Sequence, residues 1–79
     1  MSPTVFKEGN YRFHFFSKEE PRIHVHVVAP GGEAKFWLEP TIALANFSGF
    51  SKKQLLSLQK MVEEHEVEII KKWKKHLNG

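Results

Sequence analysis

The sequence contains no cysteine. This excludes a disulfide framework and a thiolate metal site, and it points to a reducing, intracellular setting. No apolar run approaches the ~20 residues a transmembrane helix needs. The opening Met1-Ser2-Pro3-Thr4 has neither the basic stretch nor the apolar core of a signal peptide. Ser17, Ser48 and Ser51 lack a glycine-flanked elbow, so serine-hydrolase chemistry has no support. Gly31-Gly32 leads into a strand-like run and not a helix, so it reads as a turn and not as a phosphate-cradling loop. The expectation is a soluble, cytoplasmic protein with no membrane association.

What is present fits one small domain spanning residues 1–79. A chain of this size buries only ~60–65% of its unfolded surface, so its core is modest. The net charge is +3, and much of the excess sits in Lys71, Lys72, Lys74 and Lys75, a solvated helix end by default. A mild basic balance suits nucleic acid or an acidic protein surface equally well. Seven Phe, two Trp and one Tyr are many for this length, so some rings are expected on a surface that another chain covers.

Most informative is Arg22-Ile23-His24-Val25-His26-Val27-Val28. Successive side chains on a strand alternate between faces, so Arg22, His24 and His26 share one face and Ile23, Val25 and Val27 the other. With the apolar set in a core, both histidines are expected to turn outward. Before this run, Thr4-Val5-Phe6 and Tyr11 to Ser17 read as strands joined at Lys7-Glu8-Gly9-Asn10, and Lys18-Glu19-Glu20-Pro21 reads as a turn. After it, Ala29-Pro30-Gly31-Gly32 turns the chain into a strand over Glu33 to Leu38, which Pro40 ends. Thr41 to Phe47 reads as a weaker strand or an extended loop, with Ile42 and Leu44 on one side. Short turns favour antiparallel neighbours, because a parallel pair needs a long crossover.

Ser51 with Gln54 three residues on matches a capping box, and a long helix follows. Leu55, Leu58, Val62, Ile69, Trp73 and Leu77 recur at helical spacing, a stripe able to cover an apolar sheet face. Glutamates crowd its middle and lysines its end, which suits the helix dipole, and Glu68 with Lys72 is a favourable i,i+4 pair. Glu66 falls within the stripe and is expected at the helix–sheet edge beside a basic residue; His65 and His76 are expected on the helix flank or near its basic end. The fold class is therefore α+β: an antiparallel meander of about four strands over residues 1–47, with one long C-terminal helix over 51–78 packed on its apolar face.

Taken in order, Pro3-Thr4-Val5, Tyr11-Arg12-Phe13, His24-Val25-His26-Val27, Glu33-Ala34-Lys35-Phe36-Trp37, Gly49-Phe50-Ser51 and Trp73 form a pattern. It resembles the bacterial family catalogued as domain of unknown function 4160, over essentially the whole chain. Ile23 departs from it, since proline often precedes the first histidine in that family. The resemblance implies a small stand-alone protein of no agreed activity, frequently encoded beside another small domain in a toxin–antitoxin-like pair.

Three chemistries compete for the polar face. His24-x-His26 with His14 and Glu33 has the residue types of a zinc site, but Arg12, Arg22 and Lys35 share the face and disfavour a divalent ion. Metal-independent RNA cleavage would use His24, His26 and His14 as acid and base, with Arg12, Arg22 and Lys35 around the phosphate and Phe16 and Trp37 stacking a base. The third reading is a binding module: this face, or an open sheet edge, docks a small protein partner, RNA or a second copy, with Trp37 as anchor. With no nucleophile motif and no phosphate loop, the binding module is preferred. No cofactor is called for.

Overall fold

The computed structural model describes residues 4–16 and 21–78, with the side chains of Leu77 and Asn78 outside that description. The expectations that fell on Pro3, on Ser17 to Glu20 and on Leu77 therefore lie outside the described residues. Five strands run β1 (Thr4–Glu8), β2 (Tyr11–His14), β3 (His24–Ala29), β4 (Gly32–Trp37) and β5 (Ala43–Ser48). Two helices follow, α1 (Lys52–Glu64) and α2 (Glu66–Asn78). The strands form one antiparallel sheet in chain order, a meander. No helix among the described residues is long and apolar enough to cross a membrane.

Alternation in the sequence sets the two faces. Phe13 opposes Val27, Val27 opposes Ala34, and Val25 opposes Phe36. These residues are buried together with Val5, Phe15 and Leu38, and the helices close the core with Leu58, Val62, Ile69 and Trp73. The predicted helix stripe is thus the packing surface. Ser51 caps α1 as its spacing required: its hydroxyl accepts from Gln54 N–H at 3.1 Å, and the Gln54 side chain accepts from Ser51 N–H at 2.8 Å.

Thr41 to Phe47, expected as a weaker strand or an extended loop, overlaps a fifth strand, β5, which pairs with β4 and runs on to Ser48. Ala45 is bulged out of that pairing, which breaks the alternation and hides the strand in the sequence. The single long helix is two, each of 13 residues, meeting at His65. His65 has φ −105° and ψ 14°. Its ring stacks on Phe6 at 3.8 Å, and its Nδ1–H donates to Glu68 at 2.8 Å. These contacts hold it off the helical path while Ile69 N–H still bonds the His65 carbonyl at 2.9 Å. Glu66 directly follows this break. It is exposed in the first turn of α2, where with Glu68 it meets the positive end of the helix dipole.

The chain re-enters the helices through Gly49, whose φ of +80° is left-handed and whose added Cβ would strike the Gly31 carbonyl. Phe50 then lies over Gly32, where a side chain would collide with its ring. These contacts fix where α1 starts relative to the β3–β4 hairpin.

Candidate functional site

Register places the chemistry-bearing residues in rows across the polar face. Arg12, Val28, Glu33 and Ser48 oppose one another in the first row. His14, His26, Lys35 and Asn46 form the second, and His24, Trp37 and Ala43 the third. Phe16 lies over the second row, its ring centroid 4.4 Å from His26 and 5.0 Å from His14. Arg22 and Lys35 sit on the Trp37 ring, 4.1 and 4.4 Å from its centroid. The residues expected at the site are therefore brought together on the polar side of the sheet.

The structure separates them by exposure. His24 is fully buried and His14 nearly so, at 0% and 5%, whereas His26 is half-buried. The expectation that both histidines of the strand turn outward holds for His26 and is corrected for His24. The cause is α2: Trp73 brings its ring to 5.1 Å from His24, while Trp37 meets the same imidazole edge-on at 5.6 Å. His24 Nδ1 lies 2.7 Å from the Arg22 carbonyl, which can only accept, so Nδ1–H donates to it. The His14 and His26 rings stack at 5.6 Å, with Phe16 on their exposed side.

A concavity of about 500 Å³ opens on this face, lined chiefly by Arg12, His14, Phe16, His26, Lys35 and Asn46. Glu33 contributes the carboxylate at its margin. Arg12 is oriented by Nε–H donating to Thr4 Oγ1 at 2.8 Å, and Arg22 by Nε–H donating to the Glu39 carbonyl at 2.8 Å. Among the described residues that line it, Arg12 and Lys35 outnumber the Glu33 carboxylate, a balance that favours anions. Among the described residues, no three His, Asp or Glu side chains are arranged to hold a metal ion.

Asn46 lines the concavity and was not anticipated. Continued alternation from Leu44 would put Asn46 on the helix side; the bulge at Ala45 moves it opposite Lys35. Two further histidines serve structure. His65 ties α2 to β1 through Phe6 and lies 3.6 Å from Glu8, and His76 donates to the Phe16 carbonyl at 3.0 Å, fixing the backbone that carries Phe16.

No curated protein and no solved structure matches the chain. The sequence model of the family described as "Domain of unknown function (DUF4160)" matches residues 10–74, which include β2 through β5, α1 and most of α2. The chain belongs to that family.

Proposed function

We propose that the chain is a small interaction protein, one partner of a toxin–antitoxin-like gene pair, which engages an acidic surface of its partner protein through the polar sheet face. The observation that carries this reading is the concavity where Arg12 and Lys35 flank half-buried His26 and the exposed ring of Phe16. Cations beside an aromatic ring and a partly covered imidazole offer an anionic side chain both charge and contact area. Acid–base cleavage of RNA asks more of the site, namely two imidazoles that reach one substrate. Here Trp73 and Trp37 cover His24, and Phe16 covers His14.

The test is binding of the adjacent gene's product to the wild-type chain and to an Arg12→Glu/Lys35→Glu variant of equal soluble yield and unchanged circular dichroism. The expected result is tight binding by wild type and at least a tenfold weaker Kd for the variant, since charge pairs at an interface contribute on the order of 1.5–7 kcal/mol. Equal binding by both would overturn the proposal. Expression without the partner gives a second readout, with growth and total RNA expected to be unaffected. Growth arrest with RNA loss that His26→Ala abolishes would replace the binding module with a ribonuclease toxin.

A further inference from the structure

The sheet has two edges, and they are built differently. At β1, an irregularity sits between Thr4 and Phe6, Lys7 and Glu8 carry charge along the strand, and Lys72 Nζ donates to the Val5 carbonyl at 2.7 Å. A bulge, edge charges and an occupied carbonyl are devices that keep another strand away. β5 has a bulge but no charge: it reads Ala43-Leu44-Ala45-Asn46-Phe47-Ser48. Among the described residues it pairs with β4 alone. Phe47 is 51% exposed although it lies on the helix side of the sheet, and Leu44 on that same side is half-buried.

We infer that β5 is a self-association edge, pairing antiparallel with β5 of a second copy to form a two-fold dimer with one continuous sheet. A second copy is the occupant that this edge fits. Two-fold pairing sets the strand against itself, so the strand must tolerate its own charge and supply its own apolar complement. β5 carries no ionisable side chain, and Phe47 and Leu44 provide cross-strand apolar partners on one side. A charged strand from another protein would find no counter-charge here. A two-fold axis normal to the sheet keeps like faces together, so the two concavities, each bordered by Asn46 of β5, lie on the same side of the dimer. This inference stands apart from the partner proposed for the polar face.

The experiment is light scattering on the purified full chain across a wide concentration range, with Phe47→Lys as the variant. Wild type is expected to approach twice the mass of one chain, and the variant to stay monomeric. Hydrogen exchange on wild type supplies a readout that does not depend on the variant folding: the β5 amides that face away from β4 should be protected in concentrated protein and exposed on dilution. A wild type that is monomeric throughout overturns the inference. So does a dimer in which those amides exchange equally fast at high and low concentration.

Discussion

The helix-covered and polar faces of the sheet are made by the same five strands and serve different ends. On the covered side, Phe13, Val25, Val27 and Phe36 have almost no exposed surface, and α1 and α2 supply Leu58, Val62, Ile69 and Trp73 against them. On the polar side, Arg12, His26 and Lys35 remain half-buried around an open concavity. The first arrangement concentrates folding energy; the second borders an open concavity. His24 shows that the division is not made by register alone. It shares a face with His26 two residues away, but Trp73 closes over it and not over His26. Alternation assigns a side chain to a face; what packs there decides whether it is reached.

The harshest way to break this contrast is to remove the ring that straddles it. Trp73 contacts Phe15 at 5.2 Å and His24 at 5.1 Å, and it is 1% exposed. Trp73→Ala should cost about 3–5 kcal/mol, the usual cost of deleting a buried large aromatic. For a domain of this size that is a large share of total stability, so urea denaturation should show a midpoint near collapse. A shift of less than ~1 kcal/mol would mean that the helix–sheet core does not depend on this ring.

A finer cut compares the two strand histidines. His24→Ala removes a fully buried ring packed between Trp37 and Trp73 and should cost about 2–3 kcal/mol. His26→Ala removes a half-buried ring that faces the concavity and should cost about 1 kcal/mol or less. Binding of the partner should respond in the opposite order, once each variant is measured under conditions where it is folded. Equal stability losses, read from parallel denaturation curves, would erase the distinction between the two positions.

Much of this arrangement could be read from residue order because alternation and helical spacing are local signals. The apolar set from Phe13 to Leu38, the capping box at Ser51 and the stripe from Leu55 to Trp73 each follow from a period and a terminus. The polar set Arg12, His14, His26, Lys35 and Trp37 follows from the same alternation. What escaped depends on tertiary contacts. Nothing at Glu64-His65-Glu66 resembles a helix stop, with neither glycine nor proline, because the bend comes from a ring stacked on Phe6 of another element. Of the glutamates read as the middle of one helix, Glu66 and Glu68 are the acidic first turn of a second. Asn46 escaped because one bulged alanine reverses the face of every residue after it. The burial of His24 escaped because it needs Trp73, nearly fifty positions away, to arrive over it.

The smallest expected effect lies at the seam between α2 and β1, away from both the closed core and the open concavity. The Glu68 carboxyl is held below the ordinary carboxylate range, first by the His65 Nδ1–H bond at 2.8 Å and then by Lys72 at 3.1 Å. A carboxylate whose folded pKa is depressed adds stability that is present above its unfolded pKa and is lost as pH falls through the folded value. Glu68 is two-fifths exposed, so solvent and salt screen the pair, and Glu68→Gln should cost no more than ~1 kcal/mol at neutral pH. The gap between wild type and variant in urea midpoint should persist down to mildly acidic pH. It should close as pH drops below the ordinary glutamate range, and added salt should shrink it throughout. Lys72 also donates to the Val5 carbonyl, a bond that does not need Glu68, so β1 should stay attached in the variant. A gap that neither closes in acid nor responds to salt would show that Glu68 contributes through shape and not charge. The seam would then be held by the same packing that closes the core, and the contrast between covered and open faces would extend to the edge of the sheet.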